Sequence, residues 1–209
     1  MKKTILTLTM VAVSVAAFAQ GRVTFVNDSL HRYYFAADPA KLLAADAGLA
    51  GTGTVATTPS GKTLVSDLYI GTSAGSLSLY SSTTLSATLG TQNGANYSLA
   101  GFPGGTAIFV QVQVRDAAFA SATLAGLGGS YSGYSQIFTM VPSTSAIAFN
   151  SIVNHGGTAL STWTDGTFNL DSIQAGNKGA IEIGLVPEPS SMALAGLGAA
   201  SLLLFRRRK

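Results

Sequence analysis

Side chains able to do acid–base or nucleophilic chemistry are sparse in this 209-residue chain, which has two histidines, nine carboxylates, 23 serines and no cysteine. The lack of Cys excludes a thiol nucleophile, a disulfide framework, a thiolate zinc site and an iron–sulfur site. A Ser-His-Asp relay would need His155, in Val-Asn-His-Gly-Gly, to meet one serine and one aspartate. No serine is read as framed by a G-x-S-x-G nucleophile elbow, and among so many serines chance pairings are common, so His31 and His155 are read as ordinary loop residues and no catalytic residue is assigned. Glycosidases need two facing carboxylates. Asp67 and Glu182 remain open as such a pair, whereas Asp38 and Asp165 suit a helix cap and a turn. No Asp-x-Asp calcium loop is present, which leaves only an ion held between loops as a calcium option. Gly126-Leu127-Gly128-Gly129 does not complete a dinucleotide fingerprint and reads as a loop. No metal site and no cofactor is expected.

The elements that would position these residues are mostly strands. In Thr106–Arg115, Ile108, Val110, Val112 and Val114 alternate with Phe109, Gln111, Gln113 and Arg115, the period of a strand with one core face and one half-wet face. Val23 and Phe25 mark a first strand, and 64–70, 76–80, 135–140 and 146–153 supply further ones. Asn93-Gly94 and Asp165-Gly166 predict tight hairpin turns, because both dipeptides tolerate positive φ. One helix is predicted after Asp38, with Pro39 at its first position, Leu42 and Leu43 within it and Gly48 at its end. Many short strands between Gly, Ser, Thr and Asn clusters predict a mainly β fold, an antiparallel β-sandwich of jelly-roll type with hydrophobic helices at both termini. The rival β-solenoid needs a fixed internal period, and none is visible. Tyr33, Tyr34, Phe35, Tyr131, Tyr134 and Trp163 can stack on sugar rings, although core packing is the ordinary role of each one taken singly.

Both ends read as address labels. Lys2 and Lys3 precede an apolar stretch from Ile5 to Phe18, and Ala17-Phe18-Ala19 forms a small-x-small cleavage site before Gln20. Residues 1–19 thus form a secretory signal peptide, handled by the Sec translocon and signal peptidase, in preference to an uncleaved anchor. Residues 186–209 begin with Val186-Pro187-Glu188-Pro189, continue through an apolar run from Met192 to Phe205, and end in Arg206, Arg207, Arg208 and Lys209. The run is just long enough to enter a bilayer as a transmembrane helix, and four cations hold its end on the cytoplasmic side.

Pro187-Glu188-Pro189, the apolar run and the basic stop together resemble the PEP-CTERM sorting signal of Gram-negative bacteria that make extracellular polysaccharide. The resemblance implies recognition by exosortase, a membrane-embedded cysteine transpeptidase that removes the tail near the triplet. Residues 20–185 form the body. They too resemble a group of secreted PEP-CTERM proteins, through Gln20-Gly21-x-Val23-x-Phe25-x-Asn27, Leu68-Tyr69-x-Gly71, Pro103-Gly104-Gly105-x-Ala107, Gln111-Val112-x-Val114-Arg115-Asp116 and Tyr134-Ser135-x-Ile137-Phe138-Thr139. That group usually has an aromatic where this chain has Asp116, and it has no assigned catalytic activity.

The formal charge of +3 belongs to the labels. Without Lys2, Lys3, Glu188 and the four terminal cations, six basic and eight acidic residues remain, a net of −2. Nucleic acid is therefore not an expected partner. The expectation is an exported, exosortase-processed, non-enzymatic protein of the cell surface or extracellular matrix. A carbohydrate-binding module for exopolysaccharide is the alternative, and a glycan or ester hydrolase a weaker one.

Overall fold

The computed structural model describes residues 20–153, 160–163 and 179–186. The smaller of its two sheets has the order β5-β1-β9, from β5 (Ala95–Pro103), β1 (Gln20–Phe25) and β9 (Asn150–Ser151). The larger runs β2 (Tyr33–Phe35), β10 (Ile181–Leu185), β7 (Tyr131–Tyr134), β6 (Ile108–Asp116), β3 (Leu64–Gly71) and β4 (Ser78–Thr84), with β8 (Phe138–Met140) also paired to β6. Val23, Phe25 and Leu99 from the small sheet and Leu68, Val110 and Val112 from the large one join a single hydrophobic cluster. This is the packing a sandwich requires. The sheets are not purely antiparallel, since β9 pairs parallel with β1 and β10 pairs parallel with β2.

Period-2 alternation set the faces as expected. Ile108, Val110, Val112 and Val114 are all essentially inaccessible. The expected strand over 146–153 shrinks to Asn150–Ser151, while β2, β7 and β10 were not anticipated. All three runs are short, those of β7 and β10 contain a Gly, and pairing on both sides holds β7 and β10 in place.

Three local expectations are corrected. Asn93-Gly94 is not a two-residue hairpin turn, and Gly94 is not among the glycines with positive φ. The chain reverses earlier, with Leu85 bridged to Gln92 and Gly90 at φ 74°. After this reversal the chain leaves β4 and enters the other sheet as β5, which pairs with β1. The Asn93 side chain instead donates to Thr84 Oγ1 at 2.7 Å, fastening the crossover.

The helix expected after Asp38 is two 3-10 turns, Pro39–Lys41 and Ala44–Leu49. Asp38 does cap the first, accepting from the Ala40 amide. Extended backbone at Leu42 and Leu43 then interrupts the helix. The break lets the Leu43 amide donate to the Tyr131 hydroxyl at 3.0 Å, while that hydroxyl donates to Asp46 Oδ2 at 2.6 Å. Gly126 to Gly129, read as a loop, contains the end of α1 (Ala122–Leu127), capped by Ser121 and closed by Gly129 at φ 64°.

Two buried carboxylates make the fold acid-sensitive. Burial disfavours the Asp46 carboxylate, but bonds from Ser60 and Tyr131 outweigh it and hold this group below the usual range. At Asp116 burial is likewise outweighed, by bonds from the Ala118 amide, Ser130 and Lys62. Their stabilisation is present above the unfolded pKa near 4 and is lost as pH falls through the lower folded values. Burial pushes the Tyr33 and Tyr131 hydroxyls well up, so their neutral forms favour folding until pH rises past about 10. The melting temperature is expected to be flat between about pH 5 and 9 and to fall on either side. Calorimetry across that range checks it, and a melting temperature unchanged from pH 7 to 3 would contradict it.

Candidate functional site

With the even-numbered residues of β6 committed to the core, Phe109, Gln111, Gln113 and Arg115 lie on the outer face of the larger sheet. The register places β3 Asp67 and β7 Tyr134 on either side of Gln113, and β3 Tyr69 beside Gln111. Tyr69 and Tyr134, both half-buried, thus stand two strands apart, roughly 10 Å across the sheet. Between them Gln113 Nε2 donates to Gln111 Oε1 at 2.9 Å, and Gln111 Nε2 donates to the Ser135 carbonyl at 3.1 Å. This ladder orders both amides before any ligand arrives. Burial raises the Tyr69 hydroxyl pKa and the Asp67 charge raises it further, so the ring presents a neutral O–H.

One end of the face is closed by a buried ion pair. Arg115 Nε lies 2.6 Å from Asp67 Oδ2 and Nη2 lies 3.2 Å from Oδ1, a two-pronged contact with Asp67 wholly buried. Ser82 donates to Asp67, and Arg115 Nη1 donates to the Phe119 carbonyl. Towards β10 a shallow cavity of about 300 Å³ opens, lined by Lys41, Ser132, Tyr134, Glu182, Leu185 and Val186. Its charges are matched, with Lys41 Nζ 3.0 Å from Glu182 Oε1. Tyr134 lines the cavity and stands beside Gln113 of the ladder. Gly133 is needed beside it, because a Cβ there would lie 2.4 Å from the Glu182 carbonyl oxygen. The whole face offers two aromatic planes, a pair of ordered amides and charges already paired. Such a surface suits a neutral, polyhydroxylated ligand whose apolar ring faces stack while its hydroxyls meet amides.

The hydrolytic candidates are not brought together. Asp67 and Glu182 are separated by β6 and β7, so three strand spacings, roughly 14 Å, lie between their strands. A glycosidase pair sits within about 9.5 Å. Each of the two is also engaged by a cation, Arg115 or Lys41. His31 is buried, with Nδ1 2.7 Å from Asp28 Oδ1 and Nε2 2.7 Å from the Trp163 carbonyl, so neither ring nitrogen faces a serine. It is a loop residue, as expected, and its two bonds pin that loop. Gly71-Thr72-Ser73-Ala74-Gly75 does have the spacing of a nucleophile elbow, a match that sequence reasoning passed over. Exposed Ser73 lies in the turn joining β3 to β4, however, and not in the strand-to-helix turn that an elbow needs. Among the described residues no group of three His, Asp or Glu could hold a metal ion.

Of the six aromatics singled out, Tyr33, Phe35, Tyr131 and Trp163 are core residues, Tyr34 is buried, and Tyr134 alone lies half-exposed on the outer face. Tyr69 was not among the aromatics singled out, yet it too lies half-buried on the outer face. Its odd position in the Leu64–Ile70 alternation could have found it. Gln20, the expected new N-terminus, is the first residue of β1. Ala17, Ala19, His155, Asp165, Asp171, the triplet 187–189, the run 192–205 and the cations 206–209 lie outside the described residues. Among the described residues no helix is long and apolar enough to cross a membrane.

The PEP-CTERM protein-sorting motif matches residues 185–209, so the chain ends in the sorting signal of an exosortase substrate. The signal supports export to the cell surface or extracellular space, with exosortase as processing partner and an association with the membrane. No curated protein and no solved structure matches the chain.

Proposed function

We propose that this exosortase substrate is a non-enzymatic interaction protein of the extracellular matrix, whose body binds neutral exopolysaccharide across the outer face of its larger sheet. The observation that carries this reading is the Tyr69–Gln111–Gln113–Tyr134 surface, whose two glutamines are ordered by their own hydrogen bonds. In this reading Sec export and signal peptidase release Gln20, and the apolar run 192–205 holds the chain in the inner membrane with Arg206–Lys209 inside. Exosortase then frees the body.

Each tyrosine stacked on a sugar ring contributes about 1 kcal/mol, so Tyr69→Ala with Tyr134→Ala should weaken binding roughly 30-fold. Affinity electrophoresis of surface-extracted protein through native exopolysaccharide measures this, with melting temperatures confirming that the fold is kept. Unretarded wild-type protein would remove the carbohydrate reading and leave a structural role. Mass spectrometry of the same material tests the address. Processed protein lacks Arg206–Lys209, and recovery of an intact tail from exosortase-bearing cells would refute processing.

A further inference from the structure

Helix α1 is built inside out. The face it buries consists of Ala122, Ala125 and Gly126, while Leu124 and Leu127 are 49% and 58% exposed. A surface helix normally does the reverse and turns its large apolar residues to the core. Small residues explain the close approach, since a Cβ on Gly126 would sit 3.0 Å from a Val186 methyl. They do not explain why the outward side carries leucine. The segment is also free of charge, with no Asp, Glu, Lys or Arg between Asp116 and Asp165.

The location supplies the reason. Val186, itself 45% exposed, is the last described residue at the start of the sorting motif, and α1 packs directly against it. From Val186 to Met192, where the apolar run begins, the chain spans at most about 20 Å even when fully extended. A body tethered so closely cannot stand far from the bilayer. We propose that the Leu124–Leu127 face of α1, together with Val186, rests in the headgroup–acyl boundary of the membrane while the tail is uncut. The contact orients the body so that Pro187-Glu188-Pro189 is presented at the membrane surface. It rests on the reading that 192–205 enters the bilayer.

Lipid is the occupant that the dimensions favour. Three side chains make a patch far smaller than the roughly 1,000 Å² a stable protein–protein interface needs. The same patch suffices for a tethered body, because the tether makes the contact intramolecular.

The full-length chain has no cysteine, so one introduced thiol labels one site. Leu127→Cys and, as reference, Ile147→Cys at a residue 89% exposed, each carry a polarity-sensitive fluorophore in vesicles of phosphatidylcholine and phosphatidylglycerol. At 127 the emission should shift to the blue, and brominated acyl chains should quench it at least twofold more than at 147. Water-like emission at both sites, from chains that float with the vesicles, would overturn the docking and leave the anchor intact. Failure to float would overturn the anchor and with it the docking. A blue shift at 127 that persists without lipid and grows with protein concentration would assign the face to a second copy and overturn the lipid contact.

Discussion

A chain ending at Gly179 is expected not to fold, whereas one ending at Val186 should melt within a few degrees of the full-length protein. The seven residues between these ends contain β10, which is paired on both edges, parallel to β2 and antiparallel to β7. Its Ile181 and Ile183 are fully buried, and burying each such side chain contributes about 1.5–3 kcal/mol. Ladder bonds such as Ile181 N–H to the Arg32 carbonyl and Ala36 N–H to the Ile183 carbonyl go with it. Losing the strand also uncovers the edges of β2 and β7 and part of the core. Together these losses are comparable with the roughly 5–15 kcal/mol by which a domain is stable. Circular dichroism and thermal melts of the two truncations decide the matter, and a cooperative transition from the shorter chain would refute it. The sorting motif therefore abuts an interior strand, and a cut within β10 would destroy the body that sorting delivers.

The second large effect is expected at the ion pair on the outer face. Asp67→Ala should destabilise the protein by about 3–5 kcal/mol, because Arg115 would keep its charge at 8% exposure with its carboxylate partner gone. Arg115→Met should cost a similar amount by stranding Asp67. Asp67→Leu combined with Arg115→Met should recover much of either loss, since apolar replacement of a buried pair is often near neutral. Urea unfolding of the single and double variants measures the coupling. Losses that simply add would show the pair to be independent. The test also bears on the proposed ligand face, because Asp67 sits beside Gln113 in the register, and disorder there should loosen the glutamine ladder.

How far the sequence carried is best seen strand by strand. The alternation in β6 assigned each of its side chains to a face, and the same rule applied to β3 would have exposed Tyr69. It could not say that Arg115, on the nominally wet face, is buried. That outcome depends on Asp67, 48 residues away, and on the loop at Phe119. Nor did it find β10, whose Ile-Glu-Ile-Gly-Leu is brief, beside a Gly-rich stretch, and ordered by neighbours distant in sequence.

The C-terminal sorting signal, the lack of cysteine, the concentration of positive charge at the ends and the core face of the longest strands were determined by the sequence alone. Each depends on composition or on a two-residue backbone period, which is local physics. Tertiary structure alone decided the strand order, the closure of the acid pair by cations, the placing of Tyr69 and Tyr134 on either side of β6, and the outward leucines of α1 beside Val186. These depend on which distant strands pair, and the many contacts that select a pairing leave no local signature.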